Sequence, residues 1–370
     1  MRRAEGTTGR RRTTATLRDV ADLAGVGPSA VSKVLNGQNI TVRPETRERI
    51  LDAATQLGYR PNAYARGLRL QSSGALGMLL PDITNPVYAT IVRGAVQRAN
   101  QLGYSLLLAE IAPDNAEDAY ERLVQEKRID GLLIATARRT GLVSSRLLAD
   151  NVPHVFVNRR LRGTSPCVTV DDATGAALAA QTLAQWGHRA IGIVSGPLDV
   201  DTAVRRLAGF REAASSLGLP RPKSARGDYT PAGGYAAMAA LLSTRSRPTG
   251  VFVSNFVASV GALRAIHDAG LRVPDDVSLI AFDDGPTAEF TLPRLTCVRM
   301  PFEELGGVAI DVLSSVLGGS SHADVVVSTP PRLIMRESVA GPPDSQLGRG
   351  PRSTAPRPEI LRQGAVSPLG

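Results

Sequence analysis

The chain has 370 residues, 43% hydrophobic and 21% charged, with two Cys and a formal net charge of +9. This length exceeds one hydrophobic core and implies several domains. Two Cys exclude a disulfide scaffold, and no apolar run is long enough for a membrane-spanning helix. The charge is uneven: residues 1–16 carry five Arg and one Glu, and residues 17–73 carry eight basic and five acidic groups. Residues 74–340 balance 26 against 26, and the last thirty add +2. A positive end on a neutral body is the footprint of a phosphate-binding segment. The position of the charge is what matters, because only three residues are Lys and base composition explains much of the Arg content.

Residues 1–15 have no apolar run, so they read as a disordered basic tail and not as a secretion signal. The first helix starts with a capping box, Thr16 ahead of Asp19, and its apolar face is Leu17, Val20, Ala21 and Ala24. Gly25 stops it. A second helix opens on Pro28, with Val31, Val34 and Leu35 inward and Ser29, Ala30, Ser32 and Lys33 outward. The third starts at Pro44, carries Ile50, Leu51, Ala54 and Leu57 on one side, and ends at Gly58. Two short helices joined by a Gly-containing turn, with a third behind them, form the pattern that sets a helix into a DNA major groove.

Thr16-Leu-Arg-Asp-Val-Ala-Asp-Leu-Ala-Gly-Val, Val31-Ser-Lys-Val-Leu-Asn36, Arg43-Pro-Glu-Thr-Arg and Gly58-Tyr-Arg-Pro-Asn-Ala-Tyr-Ala-Arg-Gly-Leu resemble the head of the lac repressor family of bacterial regulators. The resemblance runs from about Thr16 to Val339. It implies a helix-turn-helix domain over 16–60 and a hinge helix or linker over 61–73. It also implies DNA contacts from Thr16, Ser29, Ala30, Ser32, Lys33, Asn36 and Asn62. Short side chains at 29 and 30 suit thymine methyls, and Lys33 can donate to guanine. Leu68 matches the leucine that the family wedges into the minor groove. Gly27 and Pro28 depart from the common pattern, so a relative's operator sequence does not transfer.

After Ser73, apolar runs alternate with helical stretches. The runs are Ala75–Leu80, Tyr104–Ala109, Gly131–Ile134, His154–Val157, Ile191–Val194, Val251–Val253 and Ser278–Phe282. Helices are expected near 87–102, 115–126, 142–150, 172–186, 202–217, 231–243, 257–269 and 302–318. Strand–helix alternation predicts parallel sheets covered on both faces, and two series predict an α/β core with two doubly wound lobes. Its expected extent is 74–340, with lobe 1 about 74–170 and 300–330 and lobe 2 about 171–299 and 331–340. Residues 341–370 read as a second disordered tail. The resemblance implies a periplasmic-binding-protein-like core crossed three times by the chain.

Ligands of such sheets bind at the carboxyl ends of the strands. The polar residues there are Asp82 to Tyr88, Asn158-Arg159, Asn255 and Asp283-Asp284, with Arg206 opening a helix toward the same crevice. By resemblance, Arg206, Asn255 and Asp283 are the family's hydrogen-bonding set, Asn158 is a further effector contact, and Tyr229 and Phe302 are its ring-stacking positions. Asn85 and Tyr88 complete the candidate effector set. Asp, Asn and Arg together match paired hydroxyls, which favours a sugar; a purine or another small metabolite is the alternative. Helix capping is the competing role for each strand-end Asp or Asn. The family usually follows the Asn at 255 with Asp, and here Phe256 removes that carboxylate.

Four scattered His have no metal-ligand spacing, and no nucleophile or phosphate loop stands out, so neither catalysis nor a cofactor is expected. The expectation is a cytoplasmic, homodimeric repressor on a near-palindromic double-stranded operator, controlled by a small molecule between the lobes and making no membrane contact. A solute-binding protein would share the two lobes but needs an export signal and no basic head.

Overall fold

The computed structural model describes residues 15–35, 42–59, 73–111, 123–124, 127–136, 152–160, 166–321 and 323–343. Asn36, Asn62 and Leu68, the hinge, both tails and the helix expected near 142–150 lie outside the described residues, as does most of the one near 115–126.

Three helices form the head: α1 (Leu17–Ala24), α2 (Pro28–Leu35) and α3 (Pro44–Gln56). The Thr16–Asp19 capping box is complete. Gly25 ends α1 in the left-handed region at φ 63°, where a Cβ would be strained. Val20, Ala21, Ala24, Val31, Val34, Ile50, Ala53 and Ala54 form the core. Leu51 and Leu57 depart from the expected face of α3, being 48% and 37% exposed. Ala53 turns inward instead, because three short helices enclose only a narrow stripe of each.

The body contains two six-stranded sheets. The first holds β1 (Ala75–Leu80), β2 (Ser105–Glu110), β3 (Gly131–Ile134), β4 (His154–Val157), β5 (Cys167–Thr169) and β11 (Val325–Val326). Their order is β11-β5-β4-β3-β1-β2, all parallel. The second holds β6 (Ile191–Ser195), β7 (Lys223–Arg226), β8 (Gly250–Val253), β9 (Ser278–Phe282), β10 (Thr296–Arg299) and β12 (Arg332–Ile334). Its order is β12-β10-β9-β8-β6-β7, parallel except for β10 against β12. The chain therefore passes between sheets after β5, β10 and β11, three times in all.

Helices α4 (Pro86–Gln101) and α9 (Phe302–Leu317) pack together on the first sheet, and α5 (Asp172–Gln185) and α6 (Asp201–Ser216) on the second. The pair α7 (Pro231–Leu242) and α8 (Phe256–Asp268) packs against the second sheet as well. Helices α4 and α9 approach so closely that a Cβ at Gly94 would lie 1.8 Å from the Glu303 carbonyl oxygen, and one at Gly306 2.0 Å from that of Ile91. Strands β1, β3, β4, β6, β8 and β9 are buried on both faces, as the middle of a helix-covered parallel sheet must be.

Candidate functional site

In the head, α2 presents Ser29 exposed and Ala30, Ser32 and Lys33 half-buried, while Val31 and Val34 hold it to the core. Thr16 is already engaged in capping: its hydroxyl donates to the Asp19 carboxylate (2.8 Å) and accepts from the Asp19 N–H (3.3 Å). The Thr16 backbone N–H (2.7 Å) and then the Thr16 hydroxyl, both donating to the Asp19 carboxylate, hold it below the usual carboxylate range.

In the body, the polar residues gather at the carboxyl ends of strands from both sheets. Asn158 follows β4 and Asp283 follows β9. Their N–H groups still donate to Val168 O (2.8 Å) and Val298 O (3.0 Å), so each closes its strand before the chain turns. Tyr229 lies in the turn after β7. All three adopt left-handed backbone, at φ 58°, 71° and 69° respectively. Non-glycine residues held there mark places where surrounding structure overrides local preference. Gly196, after β6, leaves room for the Tyr229 ring, since a Cβ would lie 2.2 Å from its Cζ.

Arg206 is the hub. It is 3% exposed, donates from Nε to Asp172 Oδ1 (2.6 Å) and from Nη1 to Ser254 O (2.7 Å), and stands 3.6 Å from Asp283 Oδ1. Its guanidinium carbon sits 3.9 Å from the Phe282 ring centroid. Burial pulls its pKa down, but Asp283 and Asp172 outweigh this and raise it. Arg205 shares Asp172 (2.8 Å, close but unaligned for a hydrogen bond) and also reaches Asp201 at 3.1 Å. Burial pushes the Asp283 carboxyl up to about 6, with Arg206 opposing and Asp172 reinforcing. Desolvation likewise raises Tyr229.

Asn255 uses its side chain twice, capping α8 through Ala258 N–H (3.1 Å) and donating to Asp283 Oδ2 (3.2 Å). Arg159 joins the lobes. Its Nη2 donates to the Tyr88 hydroxyl (2.8 Å), and its Nη1 to Asn158 O (2.9 Å) and Thr202 Oγ1 (3.2 Å). The structure thus draws Tyr88, Asn158, Arg206, Tyr229, Asn255 and Asp283 into one polar cluster. Asn85 caps α4 through Val87 N–H (3.1 Å), and no described contact ties it or Phe302 to that cluster. Phe302 is 4% exposed within the apolar core that also contains Tyr88. Phe256, at the first position of α8, is buried in the core of the second sheet and brings no charge.

Sequence reasoning placed Asp172, Thr202 and Arg205 in no site, and left Arg159 out of the effector set. Asp172 follows β5, a three-residue strand too short for any periodicity to reveal. Of the three, only the pair Arg205-Arg206 carried a usable signal, adjacent cations at a helix start. Elsewhere, buried His188 bridges Ala340 O (2.8 Å) and Thr249 Oγ1 (3.0 Å), a structural role between chain segments. Among the described residues, no group of His, Cys, Asp and Glu is arranged to hold a metal, and no helix is long and apolar enough to cross a membrane.

Three buried atoms in the cluster have no hydrogen-bond partner among the described residues: Asn158 Oδ1, Tyr229 Oη and Asp283 Oδ1. Buried polar atoms without a hydrogen bond are uncommon and costly, and here three belong to residues of one polar cluster.

Comparison with known proteins joins the head and the body. Residues 16–62 match the family described as bacterial regulatory proteins, lacI family, and residues 180–339 match a periplasmic binding protein-like domain. The HTH-type transcriptional repressor PurR of Klebsiella pneumoniae (strain 342) is 33% identical over 335 residues, covering 89% of this chain and 98% of its own. A solved complex of the transcriptional regulator CelR with cellobiose is 31% identical, with a TM-score of 0.67, covering 88% of this chain and 99% of that one. The lac repressor dimer bound to operator and the anti-inducer ONPF is 27% identical, with a TM-score of 0.77, covering 89% and 100%.

Proposed function

This chain belongs to the lacI family of bacterial regulatory proteins and is a DNA-binding transcriptional repressor, and we propose that a small molecule bound between its two lobes sets its affinity for DNA. The observation that carries this reading is a trio of buried atoms that make no hydrogen bond, Asn158 Oδ1, Tyr229 Oη and Asp283 Oδ1, on residues held in left-handed backbone near Arg206. They offer acceptors, and the Tyr229 hydroxyl also a donor, as the paired hydroxyls of a sugar require. The cellobiose complex of a relative supports the same class. A purine or other small metabolite is the second reading, favoured by the aromatic ring of Tyr229 in the cluster.

The working assembly is a homodimer in the cytoplasm, as the dimeric relative bound to operator suggests. Two heads read a near-palindromic operator through Ser29, Ala30, Ser32, Lys33 and Asn36, with Thr16 and Asn62 beside them, and Leu68 of each hinge enters the minor groove. Effector and operator are coupled because Arg159 ties lobe 1 to Thr202 of lobe 2: a ligand that repositions this bridge changes how the lobes meet. Reciprocal coupling of about 1–3 kcal/mol, roughly 5- to 150-fold in affinity, is typical.

The test is a thermal-shift screen of the purified protein against sugars, sugar derivatives, nucleosides and purine bases, followed by operator binding with and without the hit. A ligand at a hundred times its Kd adds about 2.7 kcal/mol of stability. A hit that leaves operator affinity unchanged would overturn the proposal.

A further inference from the structure

The charges of the polar cluster are equal in number but unevenly paired. Asp172, 0% exposed in its side chain, is shared by Arg206 and Arg205. Asp201 pairs with Arg205 and also accepts from the Arg160 N–H. Asp283 faces Arg206 and is held by Asn255. Asp172 and Asp201 are thus committed to Arg205 and Arg206, while Asp283 keeps Oδ1 without a hydrogen bond and feels the Arg159 charge only at longer range. Arg159, 7% exposed, meets only neutral oxygens: the Tyr88 hydroxyl, the Asn158 carbonyl and the Thr202 hydroxyl. Among the described residues no carboxylate lies within ion-pair distance of its guanidinium. A buried cation whose hydrogen bonds all go to neutral acceptors, with its nearest carboxylate, Asp283, beyond ion-pair contact, gains from an anion that meets it directly.

We infer that the effector carries an anionic group, a carboxylate or a phosphate, and that Arg159 receives it while Asn158, Tyr229 and Asp283 bind the neutral remainder. This inference rests on the effector reading above and narrows its ligand class.

Several further features agree. The planar fork of Arg suits the two oxygens of a carboxylate or phosphate better than it suits single hydroxyls. Thr202 lies in the first turn of α6, so the end of that helix rich in free N–H groups stands beside the Arg159 guanidinium. Phe256, at the start of α8, adds no opposing carboxylate. Three acceptors around Arg159, supplied by the turn after β4, α4 and α6, also hold its side chain in place, so an anion meets a prepared donor. Tyr88 and Thr202 are hydroxyls able to turn and donate to the same anion once Arg159 engages it.

The experiment compares matched pairs on the full chain by thermal shift and calorimetry: glucose with gluconate, glucuronate and glucose 6-phosphate, and adenosine with its monophosphate. Sulfate and inorganic phosphate serve as bare anions. At least one anionic member should bind at least tenfold tighter than its neutral parent. The sugar-acid and phosphate arms then tell which anion it is. Arg159→Gln should cost that ligand roughly 10- to 100-fold, the range of one charge-assisted contact. Arg159→Lys should keep the preference for the anion at reduced affinity, and a wild-type far-UV circular dichroism spectrum with a cooperative urea transition verifies that Arg159→Gln is folded. Sulfate stabilises proteins generally, so only the part of its effect lost in Arg159→Gln counts.

A neutral parent binding as well as its anionic counterpart overturns the inference and leaves the effector reading standing. So does an anionic ligand indifferent to Arg159→Gln. No ligand of either kind, and no anion effect dependent on Arg159, overturns both.

Discussion

At the scale of single residues, burial decides what each charge does. Asp283 is raised by burial to about 6 from an ordinary 3.8, so the folded protein holds its proton more tightly than the unfolded chain. Its contribution is fully present below about pH 4 and is lost as pH rises through about 6. Asp283→Asn has no such dependence. Relative to that variant, the wild type should lose about 2 kcal/mol of stability between pH 4.5 and 7, measured by urea unfolding, at about 1.4 kcal/mol for each tenfold in proton affinity. A constant difference across that range would mean that Asp283 is an ordinary ion-paired carboxylate. Arg206 tests the reverse situation, a buried pair broken on one side. Arg206→Met strands Asp172 beside Arg205 alone and should cost about 3–5 kcal/mol. Adding Asp172→Leu should restore part of that loss, and the double-mutant cycle measures the coupling.

At the scale of elements, helix spacing sets what the sequence can carry. Gly306 sits where α9 crosses α4, and a Cβ would fall 2.0 Å from Ile91 O and 2.7 Å from Ala95 N, both backbone atoms that cannot step aside. Gly306→Ala should therefore destabilise the protein by about 3 kcal/mol. Its neighbour Gly307 has room for a methyl, whose nearest atoms would be Arg98 Cβ and Gly94 O at 4.0 Å, ordinary contact. Gly307→Ala should stabilise by about 0.5–1 kcal/mol, because alanine loses less freedom on entering a helix. Denaturant midpoints of the two variants should move in opposite directions. Strands vary in the same local way. Strands β1, β3, β4 and β9 are visible as continuous apolar runs, whereas β7 reads Lys-Ser-Ala-Arg and β5 has three residues. An edge strand and a very short one carry no pattern that separates them from a loop.

At the scale of the whole molecule, the proposed regulation depends on segments that act together. The bridge from Tyr88 through Arg159 to Thr202 spans the two lobes, and the hinge joins the lobes to the heads. Leu68→Ala removes the side chain assigned to the minor groove and leaves the cleft untouched. It should weaken specific operator binding by at least tenfold in fluorescence anisotropy, with effector affinity unchanged in calorimetry. Equal operator affinity would remove Leu68 from the interface. Equal losses at both sites would instead indicate a general folding defect.

Family, fold class and head were legible in the sequence because their signals are local: a capping box, a turn glycine, helical spacing and alternating strand and helix runs lie within a few residues of each other. Asn158, Asn255 and Asp283 were legible as candidates, since polar residues after buried strands are conspicuous in one dimension; Arg206 stood out at a helix start, and Tyr229 came with the family resemblance. Tertiary structure alone decided how these groups share their bonds. Asp172 stands 34 positions from Arg206 and Thr202 stands 43 from Arg159, so that accounting comes from packed sheets and not from neighbours in the chain. Which cation keeps a carboxylate, which atom stays unpaired and which asparagine is spent on a helix cap follow from burial, and burial belongs to the folded molecule.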